Sequence, residues 1–207
     1  LQNMLERARY DTLVFMDSDI RVQQDFLLKI VPHVLDGRVG LATCFYRGSE
    51  APGFASKLEA VGITAEFSPG VLVAWLTEGM SFALGATVAT TRKKLGAIGG
   101  FHSLADFLAD DYMLGSLMWQ AGDEVRLVPE VVETVLPRVG FVELLRHQVR
   151  WSRGIRACRP GGHFGLIFTH GTVMAFANWL ISGGSMASSL LLVGTVGLRL
   201  WMGWEVG

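Results

Sequence analysis

Short apolar runs alternate with amphipathic stretches along most of the chain. Tyr10–Met16 is an apolar run that ends at an Asp-Ser-Asp turn, and such a run predicts a buried strand of a parallel sheet. Asp25–Leu35 has helical spacing and stops near a glycine, which predicts a helix. Further strands are predicted over 39–46, 81–90 and 124–136. Strands that alternate with helices predict a layered α/β domain.

Other stretches of the chain are apolar at helical spacing. Phe54–Leu76 is the longest within the predicted domain, and Ser68-Pro69-Gly70 is expected to break it into two helices, the second suited to a membrane surface. The run Asp106–Gln120 predicts a helix that Ala121-Gly122 closes. Gly140–Arg153 predicts an amphipathic helix.

The C-terminal part differs in kind from the rest. Phe164–Ile181 carries no charge, and Ser185–Trp204 has Arg199 as its one charged residue. Both segments approach the ~20 apolar residues that a membrane-spanning helix needs. We therefore expect two transmembrane helices, with Gly183-Gly184 as the turn between them. A pair of buried core helices is the alternative.

Composition and charge narrow the possible functions. The chain has 207 residues, 50% of them hydrophobic, and a net charge of −1, so a nucleic-acid partner is not expected. Five arginines precede the apolar tail, and by the positive-inside rule this flank and the domain before it face the cytoplasm. These arginines are Arg146, Arg150, Arg153, Arg156 and Arg159. We expect a multi-pass membrane protein.

Two carboxylate pairs are the residues best suited to catalysis. Asp17 and Asp19 follow the first predicted strand, and ligands of parallel sheets bind beyond the carboxyl ends of strands. Two such carboxylates can hold a hard divalent cation that keeps water and phosphate as its other ligands. Asp110 and Asp111 stand among apolar neighbours, which suits a general base with a shifted pKa. A strand-ending turn and a helix N-terminus are the respective structural alternatives.

A third motif combines a cation with a large aromatic ring. Arg150 and Trp151 follow His147 in a predicted helix. Arginine suits bidentate binding of phosphate oxygens, and tryptophan suits stacking on a base or a sugar face. An amphipathic helix that faces a membrane would favour the same residue types.

The order of these motifs resembles the family-2 inverting glycosyltransferases with a GT-A fold. The segments that carry the closest resemblance are similar to the ceramide glucosyltransferases and their bacterial, hopanoid-associated relatives. These segments are Phe15–Val22, Thr77–Ser81 and Leu108–Tyr112, which include Asp-Ser-Asp, Thr-Glu-Gly-Met-Ser and Ala-Asp-Asp-Tyr. The resemblance implies a GT-A-like, nucleotide-diphospho-sugar transferase domain. The family's first Asp and early uracil-binding strands have no counterpart, so we expect the domain to be N-terminally incomplete.

The resemblance also assigns roles to the residues. Asp17 and Asp19 would hold a divalent metal, Mg²⁺ or Mn²⁺, against the diphosphate of a UDP-sugar donor. Asp111 would be the base that deprotonates a lipid acceptor, with Asp110 in the acidic position before it. The remaining assigned residues are His147, Arg150 and Trp151 in donor binding, and Gly79, Met80 and Ser81 near the acceptor.

The predicted organisation has three parts. Residues 1–145 form the C-terminal portion of the catalytic domain, 146–163 an arginine-rich interfacial segment, and 164–207 the two transmembrane helices. The expected activity is transfer of a hexose, glucose by resemblance, to a lipid hydroxyl such as that of ceramide, with inversion. The alternatives are a family-2 polysaccharide synthase and a non-catalytic, membrane-anchored domain of the same fold.

Overall fold

The chain divides into two compact units, Leu1–Gly140 and Phe141–Gly207. The boundary predicted at residue 145 lies close to this division, and the roles assigned to the predicted segments stay predictions. The structure is a computed structural model that describes the backbone of residues 1–206 and the side chains of 1–165 and 170–202.

The first unit, which the structure describes at every residue, is built on a sheet of five strands: β1 (Thr12–Met16), β2 (Ile20–Arg21), β3 (Val39–Ser49), β4 (Thr87–Thr91) and β5 (Glu124–Val135). Their order across the sheet is β1-β4-β3-β5-β2. The long central strand β3 therefore has β4 on one side and β5 on the other. The predicted strands at 39–46 and 124–136 are confirmed, and β3 runs three residues beyond its predicted end.

The sheet is mixed, which corrects the expectation of a parallel sheet. β1 pairs with β4, β4 with β3, and β2 with β5, and all three of these pairings are antiparallel. The pairing of β3 with β5 is parallel. β1 is a half-buried edge strand of this described sheet. Its apolar run has another cause, because Val14 and Phe15 pack into clusters on opposite faces of the sheet.

Helices cover both faces of the sheet. The helices of the first unit are α1 (Gln2–Arg7), α2 (Phe26–Leu35), α3 (Phe54–Gly62), α4 (Ser68–Glu78), α5 (Arg92–Ala97) and α6 (Asp110–Gln120), with a 3₁₀ turn over Gly100–Leu104. Ile30 of α2 belongs to the same buried cluster as Ala42, whereas Leu95 of α5 and Leu114 of α6 join Leu41. Leu41 and Ala42 face opposite clusters because side chains alternate along a strand. A layered α/β domain is thereby confirmed.

The predicted break in the apolar stretch is absent, because Phe54–Glu78 forms one continuous helix of 25 residues. A π-helical segment, Ile63–Phe67, joins α3 to α4. The backbone N–H and the hydroxyl of Ser68 both donate to the carbonyl of Ile63, the hydroxyl at 3.1 Å. Pro69 follows in the first turn of α4. A proline has no N–H to donate, and the widened turn accommodates it without ending the helix.

The loop of residues 80–86 replaces most of the strand predicted over 81–90. Thr43 of β3 fixes this loop, because its hydroxyl donates to the carbonyl of Leu84 at 2.8 Å and accepts from the Leu84 N–H at 3.1 Å. Gly115 of α6 packs against it so closely that a Cβ would lie 2.3 Å from the backbone nitrogen of Ala83. The apolar side chains of the loop are buried by this packing rather than by strand pairing.

The helix predicted at Asp106–Gln120 begins four residues late. α6 starts at Asp110, and Ala109 before it has non-helical backbone angles of φ −116° and ψ 80°. Asp110 and Asp111 therefore lie in the first turn of the helix and not in its interior. The first turn leaves backbone N–H groups unpaired, which favours acidic side chains there.

The second unit contains the helices α7 (Phe141–Cys158), α8 (Pro160–Thr169), α9 (Gly171–Ile181) and α10 (Met186–Val206). Gly183 and Gly184 have positive φ angles of 63° and 73° and form the predicted turn between α9 and α10. The indole Nε1 of Trp179 donates to the hydroxyl of Ser189 at 3.0 Å, which ties these two helices together.

The predicted span Phe164–Ile181 is not one helix, because the chain breaks at His170 (φ −78°, ψ 77°) between α8 and α9. Eleven residues of α9 extend only ~16 Å, about half of a hydrocarbon core. Over the described residues, one helix, Phe54–Glu78, has the length and composition to cross a membrane. The two C-terminal transmembrane helices stay a proposal.

Candidate active site

The Asp-Ser-Asp turn is fixed to the ends of two other strands. The backbone N–H of Asp17 donates to the carbonyl of Ala86, 3.3 Å away, just before β4. Asp19 accepts two hydrogen bonds at the end of β5, from the Thr134 hydroxyl to its carboxylate at 3.1 Å and from the Val135 N–H to its carbonyl at 2.8 Å. These contacts hold both carboxylates at one end of the strands.

Backbone donors at the start of α6 hold the second carboxylate pair. Asp111 accepts from the N–H of Tyr112 at 2.7 Å, and Asp110 accepts from the N–H of Asp111 at 3.0 Å. The backbone of Gly85 also donates to Asp111. A Cβ at Gly85 would lie 2.7 Å from the Asp111 Oδ2, so a larger residue there would displace the carboxylate.

Electrostatics connect the two carboxylate pairs. Loss of hydration, followed by the charges of Asp19 and Asp110, raises the pKa of Asp17, although Asp17 remains at the surface. Burial raises the pKa of Asp111, and the charge of Asp110 raises it further, while backbone hydrogen bonds oppose the shift. The charge of Asp110 thus raises the pKa of both Asp17 and Asp111. The structure brings together the two pairs that the sequence places far apart.

These carboxylates have chemistry that fits a divalent cation. Within the first unit, none of the four forms an ion pair with a basic side chain. Among the described residues, no group of three or more His, Cys, Asp or Glu side chains is spaced to hold a metal. Asp17 and Asp19 fit a cation that takes its other ligands from water and phosphate, as Mg²⁺ commonly does.

The predicted acceptor region leads from the long helix to the candidate base. Gly79 ends α4 with a positive φ of 77°, and its N–H donates to the carbonyl of Trp75 at 2.9 Å. Met80 is buried, Ser81 is half-buried, and the same loop continues to Gly85, the donor to Asp111. The region assigned to the acceptor therefore leads into the loop that contacts Asp111, the candidate base.

One aromatic side chain near these carboxylates was missed at the sequence level. Tyr46 lies on β3, half-buried, and its ring packs on Phe67 with 5.1 Å between the ring centroids. Burial, and then the charges of Asp111, Asp17 and Asp19, raise the pKa of its hydroxyl. No motif marks this tyrosine, because only the pairing of β3 with β5 places it near residues from three other segments.

The third predicted motif lies in the second unit. His147, Arg150 and Trp151 all belong to α7, where positions three and four apart share one face of the helix. Arg150 is exposed, whereas His147 and Trp151 are half-buried. Their role in donor binding stays a prediction.

A carboxylate with a raised pKa at a helix N-terminus, together with a second carboxylate pair at the same end of the strands, is suited to the transfer of a phosphate-activated group to a hydroxyl. The class of protein is that of the glycosyltransferases, and the predicted enzymatic activity is confirmed. The chain matches the family model described as glycosyl transferase family 21 over residues 1–207, and it belongs to that family. Membership in this family favours glycosyl transfer over the non-catalytic alternative.

Proposed function

We propose that this protein transfers a hexose, glucose in the first instance, from a UDP-sugar to a lipid hydroxyl such as that of a ceramide, with inversion. The observation that carries the proposal is that the charge of Asp110 acts on both Asp17 and the half-buried Asp111, so the two carboxylate pairs lie together. A general base must approach the proton that it removes, and a raised pKa makes a carboxylate a better acceptor for it.

The reaction follows from these positions. Asp111 removes the proton of the acceptor hydroxyl, and the oxygen attacks the anomeric carbon of the donor. The bond between that carbon and the diphosphate oxygen breaks, and UDP leaves with the electron pair. A single displacement of this kind inverts the configuration. A divalent cation held by Asp17 and Asp19 would supply positive charge to the leaving diphosphate.

A lipid acceptor is supported by the surface that precedes the acceptor region. Three apolar side chains of α4 remain exposed within two turns of Gly79: Val73 at 53%, Trp75 at 45% and Leu76 at 78%. Exposed apolar surface of this kind is typical of sites that meet lipid or another protein. The loop that follows Gly79 contacts Asp111 through Gly85, so an acceptor whose chain lies on α4 would present its hydroxyl to the base.

The proposal is tested by labelled-sugar transfer with the full-length protein and a lipid extract. We expect UDP-glucose to yield a lipid that carries one sugar of inverted configuration. Asp111→Asn should lower the rate at least ~100-fold, because general-base catalysis contributes factors of this order. Asp106→Asn, on the exposed segment before α6, is the matched control and should retain activity.

Two outcomes would contradict this assignment. Undiminished transfer by Asp111→Asn would remove Asp111 as the base. A long sugar chain as product would favour the polysaccharide synthase, the alternative from the sequence.

A further inference from the structure

Tyr46 lies where the sheet is irregular and open on one side. The pairing of β3 with β4 ends at Thr43, so Tyr46 is paired on one side only, with Val132 of β5. The register between β3 and β5 shifts just before it, where Cys44 faces Val128 but the next residue faces Val131. Irregularities of this kind bend a strand and redirect its side chains, often beside active sites.

The ring of Tyr46 packs against the long helix. Phe67, its ring partner, belongs to the π-helical segment, and the two ring planes meet at 39°. This contact and the burial of the ring restrict the rotamers of Tyr46, so its hydroxyl occupies a defined position. The described part of the chain provides no hydrogen-bond partner for this hydroxyl, which leaves it able to bind a ligand.

The electrostatic neighbours of Tyr46 come from both carboxylate pairs. Asp111 acts on its hydroxyl most strongly among the charges, followed by Asp17 and Asp19, with a smaller effect from Glu59. These negative charges and burial keep the phenol protonated, so it can donate a hydrogen bond at physiological pH.

The proposed reaction fixes the position of the transferred sugar relative to the two carboxylate pairs. The leaving diphosphate lies at Asp17 and Asp19, and the attacking oxygen lies at Asp111. An in-line displacement puts the anomeric carbon, and hence the hexose, between them. A side chain near both carboxylate pairs therefore lies beside the hexose.

We propose that Tyr46 is a donor-sugar contact, whose hydroxyl donates a hydrogen bond to a hydroxyl of the transferred hexose. This inference rests on the proposed function. It adds a residue that recognises the sugar, in addition to those that bind the diphosphate or activate the acceptor.

The test compares binding of UDP-glucose and of UDP to the full-length protein and its Tyr46→Phe variant. Phenylalanine keeps the ring contact with Phe67 and removes the hydroxyl alone. We expect the affinity for UDP-glucose to fall about three- to tenfold, the value of one hydrogen bond, while the affinity for UDP is unchanged. Tyr10→Phe is the matched control, since Tyr10 is 78% exposed at the surface, and should bind both ligands normally.

The other outcomes separate this inference from the proposed function. An equal loss of affinity for UDP and UDP-glucose would show a structural role for Tyr46 and overturn the inference. Unchanged binding of both ligands by Tyr46→Phe would also overturn it, with the proposed function intact. A wild-type protein that binds UDP-glucose no better than UDP and transfers no sugar would refute the proposed function together with this contact.

Discussion

At the scale of single residues, opposing effects act on the pKa of Asp111. Burial and the charge of Asp110 disfavour its ionised form, whereas backbone N–H groups of Tyr112 and Gly85 favour it. Burial is the larger effect, so the pKa rises. A carboxylate in this state is a stronger base than an exposed aspartate.

The pH dependence of transfer should report this shift. Asp111 acts as a base only when ionised, so activity is lost as the pH falls through its raised pKa. The acid limb of kcat/KM is therefore expected above pH 3.8, the ordinary value for an aspartate. Asp110→Asn removes a charge that raises this pKa and should move the limb to lower pH, as measured from rate profiles. Asp106→Asn should leave it in place, and a limb that Asp110→Asn does not move would contradict the assignment.

At the scale of elements, the site depends on the packing of the loop 80–86 against α6. Gly115 permits this approach, and Thr43 fixes the middle of the loop by hydrogen bonds in both directions. The same loop supplies the Gly85 donor to Asp111. Packing of the loop and position of the base are therefore coupled.

Gly115→Ala should separate this loop from the helix. Its Cβ would lie 2.3 Å from backbone atoms of Phe82 and Ala83, which cannot yield as a flexible side chain would. We expect a loss of roughly 1–3 kcal/mol in the free energy of unfolding, measured by denaturant titration, and a larger proportional loss of transfer. Gly62→Ala is the matched control.

Gly62 is helical, with φ −60° and ψ −41°, and a Cβ there meets nothing within 4 Å. Alanine should leave stability unchanged or raise it, because it lowers the entropy of the unfolded chain. Equal effects of the two substitutions would refute the packing argument.

At the scale of the whole molecule, much apolar surface is exposed. Large hydrophobic side chains remain exposed on Phe54–Glu78 in the first unit and on α8, α9 and α10 in the second. Exposed apolar surface of this kind is typical of proteins that meet a membrane or another protein. We therefore expect the protein to fractionate with membranes and to require detergent for extraction.

Cysteine labelling should show which exposed surface meets lipid. Leu76 on the long helix and Leu28 on the shorter α2 are exposed to 78% and 79%. In opened membrane fragments, a water-soluble maleimide should label Leu28→Cys and fail to label Leu76→Cys. A Cys158→Ser background is suitable, because Cys44 is buried. Equal labelling of both positions would place this end of α4 in water.

The residues themselves determined much of the chemistry. The carboxylate pairs at Asp17 and Asp110, the helix over 110–120 and the layered α/β class all follow from local composition and spacing. Local sequence could also locate the turn at Gly183, because only glycine adopts a positive φ readily.

Tertiary structure decided the rest. The mixed direction of the sheet depends on hydrogen bonds between strands that are far apart in the sequence. The loop 80–86 likewise takes its shape from Thr43 and Gly115, which lie in other elements. Tyr46 enters the site for the same reason, because strand pairing and a neighbouring helix place it among carboxylates from distant segments. A sequence specifies which groups are present, whereas long-range packing specifies which of them meet.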